Sequence, residues 1–244
     1  MILPKPTDAI HKAWLYRILQ AVADDAFLTA NLRFKGGTCA AMRGLIDRFS
    51  IDLDFDFLAP EQMPKARQNL EKIFQKLGLK ISQQSKKAPQ YFLKYENRPG
   101  ERSTIEFDAS FPAPQRNEYE PVRFAEIDRI LHCHTVPTMF ANKLVAVMDR
   151  FKKHRSIAGR DIYDIHAFFL RGDPYLVAVI EERTGKKVRP FLKSLITFIQ
   201  KHITQTILDQ DLNVLLPAET FGKIRKILKQ EVLMFLQDEI RRLE

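Results

Sequence analysis

The sequence of 244 residues is poor in cysteine and in long apolar runs. Its two cysteines, Cys39 and Cys133, are too few for a disulfide framework or a cysteine-based zinc site. No apolar run approaches the roughly 18 residues that a membrane-spanning helix needs. The first residues, MILPKPTDAIHK, also lack the basic and then apolar pattern of a secretory signal. These absences argue against a secreted or membrane protein and predict a cytoplasmic one.

Negative charge is also in short supply. The chain has 39 lysines and arginines against 30 aspartates and glutamates, a formal net charge of +9. A basic surface favours polyanionic partners such as RNA or DNA, although a solvated basic face would give the same excess. The hydrophobic share of 45% and the charged share of 28% are typical of a globular protein, and the length suits one large domain or two small lobes.

The acidic residues that are present include a concentrated group in residues 51–57 (IDLDFDF), where apolar and acidic residues alternate strictly. This period of two predicts a strand with Asp52, Asp54 and Asp56 on one face. Three carboxylates along about 14 Å of strand raise each other's pKa unless a cation lies between them. A divalent metal is the simplest compensation, and ligands that are all oxygen suit Mg²⁺ or Mn²⁺.

A glycine pair precedes this strand. Gly36 and Gly37 are followed by Thr38 and by a helical pattern over residues 39–46. Glycines at such a turn let the backbone approach a ligand closely, and the following helix start favours anions. A phosphate site beside a metal site predicts phosphoryl or nucleotidyl transfer. The alternative, an acidic edge strand whose charges prevent aggregation, leaves the glycines unexplained.

The order of these motifs resembles a known signature. Gly-Gly-Thr, a spacer of thirteen residues and then Asp-Leu-Asp-Phe is similar to the polymerase-β-type nucleotidyltransferases. The lead-in at residues 48–52 (RFSID) narrows the resemblance to the AbiEii toxins of bacterial abortive infection, a phage defence, and of type IV toxin–antitoxin systems. A second match follows in order: residues 142–144 (NKL), Arg150 and residues 160–164 (RDIYD).

This resemblance implies an α/β (α+β) fold. A polymerase-β-like lobe with a small mixed sheet is expected over residues 1–135, and a helical C-terminal lobe over residues 136–244 completes the cleft. The implied reaction transfers NMP from an NTP to an acceptor hydroxyl, with the tRNA 3′ end as the expected acceptor. The resemblance also implies a growth-inhibiting toxin whose antitoxin is encoded nearby and acts without a stable complex.

The resemblance assigns the metal site to carboxylates. Asp52, Asp54 and Asp108 would hold two Mg²⁺ or Mn²⁺ ions and act as catalytic residues. Asp108 lies in a strand predicted for residues 103–110, where Glu106 shares its face. Glu106 is therefore the second choice for the third carboxylate.

The second motif supplies a further acid. Asp161 and Asp164 are three residues apart and share a predicted helix face. The resemblance makes Asp161 the second acidic catalytic position, either positioning Lys143 or acting on the acceptor. The division of roles between Asp161 and Asp164 stays open.

Six residues are expected to bind the nucleotide, with the glycines and threonine around the β- and γ-phosphates and the lysine neutralising the triphosphate. They are Gly36, Gly37, Thr38, Arg48, Ser50 and Lys143. Arg48 could instead pair with Asp52, and Asp56 receives no catalytic role.

Two alternative functions keep the same motifs. A nucleotidyltransferase acting on a small molecule such as an aminoglycoside, or on a protein, would need an acidic acceptor pocket. A non-catalytic NTP-binding or RNA-binding module is the other alternative, and it is favoured if Asp108 lies far from Asp52. The His132-Cys133-His134 run lacks a second ligand pair at zinc spacing and is interpreted as strand surface.

Local patterns predict the other elements. Residues 9–26 form a helix with one core-facing stripe of residues spaced four apart, which are Ile10, Trp14, Ile18 and Val22. Residues 91–97 and 103–110 form a hairpin, residues 111–121 a loop and residues 129–134 a strand. From residue 137 onward the chain is helical, with its last helix at 218–243.

Overall fold

The computed structural model describes residues 1–243 apart from the side chain of His154. One mixed sheet of seven strands forms the centre of the protein. Its strands are β1 (Leu32–Lys35), β2 (Leu53–Phe57), β3 (Lys80–Gln84), β4 (Gln90–Lys94), β5 (Thr104–Ser110), β6 (Tyr119–Phe124) and β7 (Arg129–His134). They lie in the order β3-β4-β5-β2-β1-β7-β6, which confirms the predicted α/β class with a mixed sheet.

Helices surround the sheet and make up the rest of the chain. The first four are α1 (Asp8–Ala23), α2 (Ala26–Asn31), α3 (Gly36–Met42) and α4 (Met63–Lys76), the last preceded by a 3₁₀ turn at Pro60–Gln62. The later seven are α5 (Val136–His154), α6 (Gly159–Leu170), α7 (Val177–Thr184), α8 (Val188–His202), α9 (Gln205–Leu212), α10 (Ala218–Ile224) and α11 (Leu228–Arg242). No helix in residues 1–243 is both long and apolar enough to cross a membrane.

The sheet core follows from the alternation in β2. Phe55 is buried and stacks on Phe107 of β5, with ring centroids 5.0 Å apart, and it lies tilted against Phe34 of β1 at 5.2 Å. Phe74 of α4 meets Phe107 edge to face at 5.6 Å. Because strand side chains alternate between faces, this apolar layer turns the even-numbered aspartates of β2 to the opposite face. Burial of each phenylalanine contributes about 2–3 kcal/mol and fixes the register of the strand.

The helical half packs around α5 and α6. Phe140 of α5 stacks on Phe168 of α6 at 5.0 Å and meets Phe169 edge to face at 4.9 Å. The segment between α3 and β2 is tied to this half by two contacts. The amide of Phe49 donates to the carbonyl of Leu215, and Tyr163 donates to the Asp47 carboxylate.

The first predicted helix is wrong in extent and in its buried face. Helix α1 ends at Ala23, and a new helix, α2, begins after Asp25, because the Asp25 carboxylate accepts a hydrogen bond from the Leu28 amide. Ile10 is 43% exposed and Trp14 only partly buried, whereas His11, Leu15 and Leu19 are buried with Ile18 and Val22. The buried stripe is therefore rotated by about one residue.

Three further boundaries differ from the predictions. The first half of β6, residues 119–121, was predicted as loop, and Pro121 is tolerated there because β6 is an edge strand. The unpredicted α9 begins where the Thr204 hydroxyl accepts from the Ile207 amide. The last predicted helix is divided into α10 and α11, and α3 begins at Gly36 itself.

Candidate active site

A cleft of about 850 Å³ lies between the sheet and helices α5 and α6. Nearly all the predicted site residues line it. They are Gly36, Gly37, Arg48, Ser50, Asp52, Asp54, Asp108, Lys143 and Asp161, together with Glu106. Residues that are far apart in sequence therefore meet at one place.

The strand register explains why the carboxylates converge. Across the parallel pair β2–β5, Asp54 is the direct partner of Asp108. Across the antiparallel pair β1–β2, Asp54 is also the partner of Lys35. Asp52 is the residue directly before β2, and it lines the same cleft. Glu106 lines it too, but its carboxylate accepts from Gln90 at 2.8 Å, whereas Asp108 is the direct strand partner of Asp54.

The carboxylates repel one another in this position. Burial and the charge of Asp54 raise the pKa of Asp52 to about 6, and Arg160 at 3.6 Å only partly opposes this. Burial and the charge of Asp54 likewise raise the pKa of Asp108 to about 6, against the opposing charge of Lys35. The negative charge of the site is therefore undercompensated by the protein.

A divalent cation fits this donor set. Asp52, Asp54 and Asp108 offer oxygen ligands only, the kind that Mg²⁺ and Mn²⁺ prefer, and the raised pKa values of Asp52 and Asp108 indicate that a cation beside them would be stabilising. Within the described residues, no three metal-binding side chains are already converged at ligand distances. The fit therefore rests on donor chemistry and strand register.

The two glycines are required by close packing. Gly36 has φ +78°, and a Cβ there would lie 2.1 Å from Asp54 Oδ2. A Cβ on Gly37 would lie 2.7 Å from both Arg48 Nη2 and Ser50 Oγ. Only glycines let this turn pass so close to the carboxylate on one side and the guanidinium on the other.

Thr38 does not reach the cleft. Its side chain is fully buried, and its hydroxyl donates to the backbone carbonyl of Asp52. The hydroxyl of Thr38 is therefore directed at the backbone of Asp52 and not at the cleft, where the expected phosphate contact would lie. Thr38 instead holds the backbone at the start of β2.

Arg48 is held by Asp164. Its Nε and Nη2 donate to the two carboxylate oxygens of Asp164 at 2.6 and 2.8 Å, in a bidentate pair with both side chains buried. Burial alone would raise the pKa of Asp164, but the charges of Arg48 and Lys143 lower it to about 2. The alternative pairing of Arg48 with Asp52 is wrong, and Arg160 is the arginine nearest that carboxylate.

Lys143 lies between the two acids of the second motif. Its Nζ is 2.6 Å from Asp164 Oδ2 and 3.6 Å from Asp161 Oδ1. Asp161 is buried, and its Oδ2 lies 3.5 Å from Arg150 Nε without a hydrogen bond between them. Asp164 is thus the stronger partner of Lys143, and Asp161 retains an unsatisfied oxygen at the cleft.

Sequence reasoning missed a polar network beneath the cleft, centred on Asp56. This buried carboxylate accepts from Lys35 at 2.6 Å, from His134 at 2.7 Å, and from Asn117 and Tyr119 at 2.9 Å each. Burial opposes the charge, but the His134 and Lys35 contacts hold the pKa of Asp56 well below its usual range. Lys35 also donates to Ser110 at 2.6 Å and lines the cleft.

His134 is correspondingly not strand surface. Its ring is buried and donates from Nε2 to Asp56, while His132 is exposed. Burial lowers the pKa of His134, so the ring is neutral near pH 7. No local pattern predicted this, because the alternation in residues 129–134 puts both histidines on one face. For Lys35, its place directly before the glycine pair was the available signal.

The far wall of the cleft, which the helical half forms, has five basic residues against two acidic ones, Asp149 and Asp161. It contains Arg150, Lys153, Arg160 and Arg183 as well as Lys143. Over the whole cleft, seven lysines and arginines balance seven aspartates and glutamates. The cleft is therefore polarised and not net acidic, which is the arrangement expected for a phosphate-bearing substrate beside a cation site.

Comparison with known proteins agrees with this geometry. Residues 17–226 match a family model described as nucleotidyl transferase AbiEii toxin, type IV toxin–antitoxin system. A proposed nucleotidyltransferase from H. pylori superimposes with a TM-score of 0.61 at 18% identity, covering 98% of this chain and 99% of its own. MenT4, a nucleotidyltransferase toxin from Mycobacterium tuberculosis H37Rv, gives 0.51 at 15% identity, covering 97% and 87%. These identities support the fold alone, and no curated protein sequence matches significantly.

Proposed function

This chain belongs to the AbiEii family of nucleotidyltransferase toxins, and we propose that it transfers NMP from an NTP to a hydroxyl of an RNA acceptor, the tRNA 3′ end first. The observation that carries the proposal is the register that sets Asp54 beside Asp108, with Gly36 packed against the Asp54 carboxylate. That arrangement combines a close backbone approach with paired carboxylates. The non-catalytic alternative gains support if Asp108 lies far from Asp52, whereas both residues line the same cleft.

The residues of the cleft have different proposed roles in the reaction. Asp52, Asp54 and Asp108 would hold Mg²⁺ or Mn²⁺, which when bound would neutralise phosphate charge and lower the pKa of the acceptor hydroxyl. The backbone at Gly36 and Gly37 would receive the β- and γ-phosphates.

Lys143 would neutralise the triphosphate, held in place by its 2.6 Å contact with Asp164. Asp108 would take the proton of the acceptor hydroxyl as its oxygen bonds to the α-phosphorus and pyrophosphate leaves. Arg48 and Ser50 would support the turn at Gly37, since both side chains lie against it. We propose that Asp161 contacts the acceptor through its Oδ2, which has no hydrogen-bond partner within the described residues.

The acceptor is proposed from charge. An aminoglycoside is polycationic and would favour an acidic pocket, whereas this cleft has as many basic as acidic residues and a basic far wall. RNA is a polyanion and suits that wall as well as the net charge of +9. We further propose that residues 1–135 and 136–244 act as the two lobes on either side of the cleft.

The biological role follows from the family. A type IV toxin–antitoxin description implies an antitoxin, and we propose one encoded nearby that acts without a stable complex. NTPs and tRNA are found together in the cytoplasm, so we propose that the toxin acts there and limits growth, for example during phage infection.

The test is direct labelling. Purified protein is incubated with Mg²⁺ or Mn²⁺, each α-³²P-labelled NTP in turn, and total bacterial tRNA, beside Asp52→Ala and the control Asp128→Asn. Asp128 is 73% exposed in a surface pair and lies outside the cleft. Label on RNA with one NTP, lost in Asp52→Ala and kept in Asp128→Asn, is the expected result.

Other outcomes separate the alternatives. Label on added protein or aminoglycoside in place of RNA would refute the RNA acceptor and keep the enzyme class. NTP binding by equilibrium dialysis without any labelled product would instead favour the non-catalytic module.

A further inference from the structure

We infer that a second cavity beside the cleft, the arginine groove, binds the phosphodiester backbone of a single-stranded nucleic-acid acceptor; the inference rests on the proposed function. The groove has a volume of about 370 Å³. Its polar lining comprises Arg102, Arg150, Arg160, Ser156, Gln210 and Asp211. Arg150 and Arg160 belong to the second sequence motif, whereas Arg102 and the other polar residues of the groove lie outside both motifs.

The groove is continuous with the cleft. Arg150 and Arg160 line both cavities. The groove is also lined by Ile51, while its neighbour Asp52 lines the cleft. An acceptor whose terminal hydroxyl lies at the carboxylates therefore leaves the cleft past these two arginines and enters the groove.

Two of the guanidinium groups have donors to spare. The ion pair of Arg150 with Asp161 is 3.5 Å long and contains no hydrogen bond from Nε, and 37% of the Arg150 side chain is exposed. Arg160 reaches Asp52 only at 3.6 Å. Charge-assisted hydrogen bonds are normally about 2.7–2.9 Å, so both pairs are loose and can exchange their partner for a phosphate oxygen.

The third arginine is fixed in place. Arg102 donates to Asp8 at 3.1 Å and to the Val214 carbonyl at 3.0 Å, and 29% of its side chain stays exposed. The one groove carboxylate, Asp211, accepts from the Gly159 amide at 2.6 Å and is thereby occupied. Three arginines against one engaged aspartate make the groove an anion site.

The apolar residues that line the groove favour a single strand. Ile51, Val214 and Leu215 give the groove an apolar side against which a ribose or an unstacked base can pack. The glycine turn and Lys143 that would hold the triphosphate line the cleft and not the groove. The groove therefore suits the strand upstream of the acceptor hydroxyl and not the incoming nucleotide.

The experiment measures binding without catalysis. A fluorescein-labelled twelve-nucleotide RNA, the matching DNA and an RNA duplex are titrated against the full chain by fluorescence anisotropy at several salt concentrations. The variant is Ser156→Asp, which adds a negative charge to the groove. Its control is Ser156→Asn, because asparagine has nearly the same size and shape as aspartate but no charge. Ser156 is exposed, so neither change is expected to disturb folding.

We expect Ser156→Asp to weaken single-strand binding about tenfold and Ser156→Asn to leave it within about twofold. Arg102→Gln should weaken it similarly and reduce the salt slope by about 0.7, the value for one lost phosphate contact with a single strand. Equal affinities for the aspartate and asparagine variants would overturn the inference. Displacement of the RNA by excess NTP alone would do the same, since it would assign the arginines to the triphosphate.

A parallel labelling assay separates this inference from the proposed function. Charge-sensitive RNA binding without any nucleotide transfer would leave the groove in place and remove the proposed reaction. Transfer to RNA that Ser156→Asp affects no more than Ser156→Asn, in KM or in binding, would keep the reaction and remove the groove. If preferred binding to the duplex is seen, the single-strand assignment fails.

Discussion

Replacing Gly36 by alanine tests whether the Asp54 carboxylate must stay where the structure places it. The added Cβ would lie 2.1 Å from Asp54 Oδ2 and 2.8 Å from its Cβ. Ordinary van der Waals contact begins near 3.4 Å, so the carboxylate has to move by more than 1 Å. The residue also has φ +78°, which a side chain disfavours.

The control is a glycine with the same backbone and no neighbour. Gly78 has φ +75°, and nothing lies within 4 Å of a Cβ built on it. Both alanine variants should lose about 1 kcal/mol of unfolding free energy from the left-handed conformation. That loss corresponds to a decrease of about 2–4 °C in Tm for a chain of this size.

Activity should separate the two variants. A displacement of about 1 Å at a reacting centre costs about 100-fold in rate. Gly36→Ala should therefore lose about two orders of magnitude in kcat for NMP transfer, while Gly78→Ala keeps the wild-type value. Urea unfolding supplies the stability of each variant, and the α-³²P labelling assay supplies the rate.

Two results would refute the reasoning. Wild-type transfer by Gly36→Ala would show that the reaction does not depend on the observed position of Asp54. An equal loss of activity in both alanine variants would show that the decrease arises from general destabilisation and not from the displaced carboxylate.

Three further predictions concern single charged groups. Asp164→Asn should lower the unfolding free energy at pH 7, and about 2 kcal/mol of the difference from wild type should vanish as the pH falls from about 5 to 2. The reason is that a carboxyl whose pKa is lowered to about 2 on folding stabilises the protein only while it is ionised. A difference independent of pH would contradict this. Asp56→Asn should cost about 3 kcal/mol in urea unfolding, since it leaves buried cationic and polar partners unmatched, whereas exposed Asp128→Asn should stay within about 0.5 kcal/mol; equal losses would contradict the network. Lys143→Ala should weaken NTP binding at least about tenfold by calorimetry, with Lys223→Ala, a 75% exposed helix lysine, unchanged; unaltered NTP affinity would remove Lys143 from the triphosphate site.

Local patterns in the sequence were sufficient where neighbours along the chain determine structure. The alternation in residues 51–57 predicted a strand with its aspartates on one face, and β2 confirms this for Asp54 and Asp56, although the strand begins at Leu53 and Asp52 lies just before it. The hairpin at residues 91–97 and 103–110 is present as β4 and β5. The pairing of Asp54 with Asp108 depends on β2 and β5 being parallel neighbours, which no periodicity shows, and only the family resemblance led to it.

Contacts between distant residues could not be predicted. Arg48 and Asp164 are 116 residues apart, and His134 and Asp56 are 78 apart. A charged residue in a helix or strand pattern is predicted to be solvated. Periodicity indicates which face a side chain occupies, but it does not indicate which residues of other elements pack against that face. The same limit explains Ile10, whose spacing fitted a buried stripe although the helix turns a neighbouring face to the core.

The strand β2 shows most directly what the environment adds to a pattern. Asp52 and Asp56 come from one alternating run, and sequence gives no reason to treat them differently. Asp56 lies where Lys35 and His134 contact it, so its pKa is lowered and its charge is fully used within the protein. Asp52 is buried beside the charge of Asp54, and Arg160 at 3.6 Å only partly opposes these effects, so its pKa is raised to about 6. Because a group whose charge is unmatched by the protein gains most from a cation or a substrate, we expect the chemistry at the Asp52 end of the run, while Asp56 holds Lys35 at the side of the cleft.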